Sequence, residues 1–190
     1  MREKPKILGV QSVAKSRLFH VEEVHLRFSN GKEVRFERLK GSQRGSVLIV
    51  PMLDSDTVLL VREYATALDR YELSLPKGLI DPGEDLVAAA NRELMEEVGY
   101  GAQDIIHLKT MTLAPGYFSH KSHIMLARDL HPERRDADEP EPPEVVPWSI
   151  RRLSELLARE DFTEARSIAA LLWLKEISFH VAGPGNAKSA

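Results

Sequence analysis

The segment Gly78-Leu79-Ile80-Asp81-Pro82-Gly83-Glu84-Asp85-Leu86-Val87-Ala88-Ala89-Ala90-Asn91-Arg92-Glu93-Leu94-Met95-Glu96-Glu97-Val98-Gly99 decides how this chain is read. Its apolar residues Leu86, Ala90, Leu94 and Val98 fall four apart, as on a helix with one face to a core. Asp81 stands as the expected N-cap, Pro82 as the first helical residue and Glu84 as the third, and Gly99 suits the stop. On a regular helix at ~100° per residue, Glu93 and Glu97 lie about 40° apart and Glu96 about 60° to the other side. Three carboxylates thus share one arc beside the apolar stripe. Left alone they repel and raise at least one pKa. A divalent cation removes the conflict, and oxygen-only ligands at this density suit Mg²⁺ or Mn²⁺.

The spacing is specific as well as the composition. Gly78, Glu84, Arg92, Glu93, Glu96, Glu97 and Gly99 are seven fixed residues, a pattern expected by chance roughly once in 10^8 starts. A solvated acidic helix face accounts for the glutamates but not for the Gly78 and Glu84 spacings. The segment resembles the Nudix box, and the chain resembles Nudix pyrophosphohydrolases.

The rest of the chain sets the frame. It has 190 residues, 43% hydrophobic and 29% charged, enough for one domain with a short N-terminal appendage. The net charge of −3 implies no broad attraction to nucleic acid or anionic membrane. There is no cysteine, hence no disulfide, thiolate metal site or cysteine nucleophile. No apolar run reaches the ~18 residues of a membrane span, and the start lacks a signal-peptide core, so a cytoplasmic location is expected.

The patterning predicts antiparallel strands between Lys6 and Leu39, with Ser29-Asn30-Gly31-Lys32 as a hairpin turn. Two apolar runs, Ser46 to Leu53 and Thr57 to Arg62, read as a buried hairpin, followed by a strand from Tyr71 to Leu75. After the box come strands around Ile106 to Leu113 and Ser122 to Ala127. The acidic, proline-rich 132–143 reads as a loop, and helices are expected at Ile150 to Arg159 and Thr163 to Ile177. This order is α/β: mixed layers with an N-terminal antiparallel strand extension. The expected divisions are an extension at 1–45, a catalytic domain at 46–182 and a tail at 183–190.

Arg17-Leu18-Phe19, Val61-Arg62-Glu63-Tyr64, Tyr71-Glu72-Leu73, Pro76 to Glu84 and Ala90-Asn91-Arg92-Glu93 are similar to the ADP-compounds hydrolase (NudE type) branch, allied to ADP-ribose pyrophosphatases. Pro115, sixteen residues beyond Gly99, stands where the latter carry a marker proline. The resemblance implies a Nudix α/β/α sandwich with a mixed sheet. It also implies Mg²⁺-dependent cleavage of the diphosphate in ADP-ribose, diadenosine polyphosphates or NADH to AMP and X-phosphate.

It implies further that Glu93, Glu96 and Glu97 hold the metal, with the Gly78 carbonyl added. Arg92, paired with Glu84, orients the glutamates, and the base is one of several carboxylates. Glu139 and Glu141 in the acidic loop, followed by Asp138, match the position of a candidate base in related enzymes. For substrate, Arg38 and Arg62 suit phosphate clamps, Glu72 a ribose or adenine acceptor, and Tyr64 or Phe19 a stacking surface. Ala65 after Tyr64 departs from the Arg-x-Tyr-Arg pattern of ADP-ribose enzymes, so one substrate contact is expected to be missing. In this branch the N-terminal strands build a homodimer, as suits a hairpin unable to bury both faces alone. Other readings are hydrolysis of another dinucleotide or nucleotide sugar, and a non-catalytic ligand sensor. The intact glutamates disfavour the sensor.

Overall fold

The computed structural model describes residues 2–42, 44–136 and 140–181. It is a mixed α/β fold divided into two compact units, Met1–Ser46 with Thr110–Ser122, and Val47–Lys109 with His123–Ala190.

The first unit carries an antiparallel sheet of β1 (Lys6–Lys15), β2 (His20–Arg27) and β3 (Glu33–Leu39), in that order. The β2–β3 turn closes at the expected residues. Gly31 takes φ +80°, the left-handed region that favours glycine, and the Asn30 side chain accepts the Lys32 amide at 3.1 Å. Within this unit Leu39 donates its amide to the Tyr117 carbonyl at 2.7 Å, tying β3 to the Pro115 loop.

Most residues of two further sheets belong to the second unit. One has the order β10 (Glu144–Ser149), β5 (Thr57–Ala65), β6 (Arg70–Ser74); the other β7 (Lys77–Leu79), β4 (Ser46–Pro51), β9 (Lys121–Pro132), β8 (Tyr100–Thr112). The two apolar runs expected to form one hairpin belong to different sheets. They are joined through the Asp54 turn, whose carboxylate accepts the Asp56 and Thr57 amides at 2.8 Å. Continuous burial on both faces fits strands sandwiched between layers rather than a two-stranded ribbon. β10 lies between the expected loop at 132–143 and the expected helix, where the patterning predicts no strand. Pro147 is tolerated because β10 is an edge strand. The expected helix at Ile150 to Arg159 is instead a 3₁₀ turn, Ile150–Arg152, and the short α2 (Leu153–Leu157). The last helix is α3 (Ala165–Val181).

The helix of the box is α1 (Leu86–Glu93), continued by a π-helical turn, Leu94–Val98. Ala89, Ala90, Leu94 and Val98 pack into one core with Val47 and Ile49 of β4, Leu59 and Val61 of β5, and Met125 of β9. Burying Leu94 alone contributes about 2 kcal/mol. This packing anchors the charged face of the helix to both sheets.

Candidate active site

The approach to the box helix is built by a turn and a cap. Glu84 donates its amide to the Asp81 carbonyl at 3.2 Å, and Gly83 takes φ +85°. Proline second and glycine third is the sequence of a type II turn. The helix is capped by Asp85, whose carboxylate accepts the Val87 and Ala88 amides at 2.9 and 2.8 Å. Asp81 therefore opens a turn rather than the helix. The shift leaves Glu84 free to fold back along the helix.

Arg92 is the hub. Its guanidinium donates to both Glu84 oxygens at 3.0 Å, to Glu93 at 2.7 Å, to Glu96 at 3.0 Å and to the Leu79 carbonyl at 2.9 Å. A planar fork of five donors is the side chain able to serve so many acceptors. It holds Glu84 well below the ordinary carboxylate range, and its own pKa is raised.

The π turn carries Glu96 and Glu97. The Gly99 amide donates to the Leu94 carbonyl at 3.1 Å, an i to i+5 closure, and Gly99 ends the turn at φ +79°. Glu96 faces Arg92, while Glu97 points inward and is 3% exposed. Glu97 accepts the Lys77 amide at 3.0 Å. Its carboxyl is pushed up to about 8, chiefly by burial; the Lys77 ammonium opposes this, and Glu63 and Glu93 add repulsion. Glu93, 7% exposed, lies against the Cα of Gly78. A methyl group on Gly78 would stand 1.9 Å from the Glu93 carboxylate, so only glycine leaves it room.

Among the described residues, no three histidine, aspartate or glutamate side chains are gathered around one point as a metal ion's ligands would be. Glu93 and Glu96 share the same Arg92 nitrogen, and Glu97 turns to the Lys77 amide. The donor set nonetheless fits a hard divalent cation. It is all oxygen, two of its carboxylates are buried, and their mutual repulsion is what a cation would relieve.

Sequence reasoning missed the surroundings of Glu97. The Lys77 ammonium is ion-paired with Glu63 and donates to the Ser74 hydroxyl at 3.1 Å. It also missed Asn91, whose side chain accepts the Ala102 amide at 2.8 Å and ties the helix to β8.

The other expected residues are engaged elsewhere. Arg62 is ion-paired with Asp161 at 2.8 Å and Glu144 at 3.0 Å. Glu72 is buried, accepting from Arg70 at 2.6 Å and the Thr163 hydroxyl at 2.9 Å. Tyr64 and Tyr71, cross-strand partners, stack edge to face at 5.6 Å; Tyr64 donates to Asp69, and Tyr71 to Glu141 at 2.5 Å. By strand alternation Tyr64 and Arg62 occupy the face of β5 opposite Glu63. Glu141 therefore sits with Tyr71 across the sheet from the Lys77–Glu63 pair. Glu139 and Asp138 lie outside the described residues. Arg38, in the first unit, is bound by the buried Glu22 at 2.9 Å. Pro115, also in the first unit, is exposed. His120 is buried there, bonded to the Ser46 hydroxyl at 2.9 Å.

Comparison with known proteins fits this geometry. Residues 5–38 match the NudE-type Nudix hydrolase N-terminal domain, and residues 42–172 the NUDIX domain. The chain is 51% identical to the ADP compounds hydrolase NudE of Escherichia coli, over 92% of this chain and 93% of that one. It is 28% identical to an ADP-ribose pyrophosphatase of Bacillus subtilis, over 90% and 95%. A crystal structure of an ADP compounds hydrolase superposes with a TM-score of 0.89 at 48% identity, covering 97% of this chain and 99% of that one.

Proposed function

The chain belongs to the Nudix hydrolase family and acts on ADP compounds, and from that premise we propose a Mg²⁺-dependent pyrophosphohydrolase that splits the diphosphate of ADP-ribose, diadenosine polyphosphates and NADH into AMP and X-phosphate. The observation that carries this reading is the pair of buried carboxylates, Glu93 against Gly78 and Glu97 on the adjoining Lys77 amide.

In this reading Glu93, Glu96 and Glu97, with the Gly78 carbonyl, hold Mg²⁺, with Mn²⁺ able to replace it. A bound ion supplies charge neutralisation on the diphosphate and a more acidic water. Arg92 keeps Glu93 and Glu96 aimed and leaves Glu97 to the Lys77 amide. The proton of the attacking water passes to a carboxylate of this set or to Glu139 of the late loop; Glu141 serves only after leaving its bond to Tyr71. Tyr64, half exposed, offers a stacking face. Arg62 and Glu72 are held by protein partners, so each reaches substrate by exchanging an ion pair or hydrogen bond.

We read β1 as the surface for a second copy of the chain. All ten of its residues are exposed, Ile7, Leu8, Val10 and Val13 among them. A cytoplasmic setting completes the proposal; no described helix is long and apolar enough to cross a membrane.

The test is AMP release from ADP-ribose, diadenosine triphosphate, NADH and ADP-sugars by Glu93→Gln and Glu97→Gln at subsaturating Mg²⁺. Turnover should vanish while circular dichroism is unchanged. Full turnover in either variant contradicts the assignment.

A further inference from the structure

Glu97 is almost wholly buried, and its hydrogen-bond donor is the main-chain amide of Lys77 at 3.0 Å. The position of that amide therefore fixes the Glu97 carboxylate. Lys77 begins β7, a strand of three residues at the edge of its sheet, which is too short to hold a backbone by ladder bonds alone. Its side chain crosses to the other sheet of the same unit. There the ammonium meets the Glu63 carboxylate of β5 and the Ser74 hydroxyl of β6, and Ser74 in turn stands 3.4 Å from Glu63. Val61 pairs with Ser74 and Glu63 with Glu72 across β5 and β6, so Glu63 and Ser74 project from one face of that hairpin. Lys77 and Glu63 are each less than a third exposed, which keeps solvent from competing for the pair.

We propose that Glu63 is a positioning residue for the box: with Ser74 it clamps the Lys77 side chain, and through the Lys77 amide it fixes Glu97 for metal binding. The inference rests on the reading of Glu97 as a metal ligand. None of these side chains needs to touch substrate. Outer-shell partners that orient a ligand typically change metal affinity by about 10–100-fold when removed. Because Glu63 and Lys77 act as one clamp, their effects should not add.

The experiment uses the full chain as Glu63→Ala, Lys77→Met, the double variant, Lys77→Arg and Glu97→Gln. Mn²⁺ affinity is measured by electron paramagnetic resonance without substrate, and exchange of the Lys77 amide by NMR without metal. Each single variant should weaken Mn²⁺ binding about 10-fold or more, with the double variant no weaker than either. Lys77 amide exchange should quicken, and Lys77→Arg should retain most of the affinity. With saturating Mn²⁺, kcat should fall and KM for ADP-ribose should stay within about twofold, as expected when binding of substrate is untouched.

Unchanged Mn²⁺ affinity in Glu63→Ala overturns the proposal. So does unchanged affinity with a lowered KM, which would make Lys77 a substrate contact that Glu63 withholds. If Glu97→Gln leaves Mn²⁺ binding intact, the metal assignment fails; amide exchange still reports whether the clamp exists.

Discussion

Gly78→Ala separates the site from the fold. Gly78 does not use the left-handed backbone region, so alanine is accepted by the chain itself. The conflict is with one side chain. The new methyl group stands 1.9 Å from the Glu93 carboxylate, and ordinary contact begins at 3.4 Å, so the carboxylate must retreat about 1.5 Å. That retreat breaks its 2.7 Å bond from Arg92 and carries a proposed metal ligand out of place. A misplacement of about 1 Å in a catalytic arrangement costs roughly 10²-fold in rate, or about 2.7 kcal/mol. The cost to the fold is smaller. Losing one charged hydrogen bond costs about 1.5–3 kcal/mol, less up to about 1 kcal/mol regained from the stiffer unfolded chain. The melting temperature should fall by roughly 1–12 °C. Steady-state AMP release and thermal unfolding on the same preparation check both numbers. Wild-type kcat in a folded Gly78→Ala protein would refute the reasoning.

Arg92→Lys should be severe although the charge is kept. One ammonium cannot reproduce the five bonds of the guanidinium, so stability should drop by about 2 kcal/mol and kcat by about 10²-fold or more; a differential scan and an AMP assay report it. For pH, the folded, metal-free Glu97 binds its proton up to about 8 against an ordinary value of 4.5, so the native state holds more protons than the unfolded one in that window. Stability of the metal-free protein should therefore decline as pH rises from 4.5 to 8, and metal binding at pH 7 should release about one proton. Calorimetry in two buffers of different ionisation enthalpy counts that proton. For the proposed second-copy surface on β1, the expected outcome is sedimentation of the parent chain as a dimer and of Val10→Lys with Val13→Lys as a monomer, with the second unit still folded.

The parts of this protein legible in the sequence are those where one residue type has one physical use. Asn30-Gly31 could only be a turn, Gly99 only a helix stop, and the four-residue apolar spacing placed Ala90, Leu94 and Val98 in the core where they are found. The Glu84–Arg92 pair was readable from its spacing. What was not legible depends on partners distant in sequence. The π turn has no local mark, and the Lys77 amide that Glu97 meets lies twenty residues back in the chain. Asp81 and Asp85 are equal as caps by composition; the Pro82-Gly83 turn decides between them. Arg62 and Glu72 look free for substrate until Asp161, 99 residues on from Arg62, and Thr163, 91 residues on from Glu72, arrive beside them. The Lys77–Glu63 clamp belongs to two sheets and could not be read from either strand.

The most direct measurement is a crystal of the protein soaked in Mn²⁺ with a non-hydrolysable ADP-ribose analogue, examined by anomalous scattering. An anomalous peak within about 2.0–2.3 Å of oxygens from Glu93, Glu96 and Glu97, with the analogue's diphosphate bound to it, is the expected result. A diphosphate bound far from that helix, or manganese held by other side chains while those glutamates stay on Arg92 and Lys77, would contradict it.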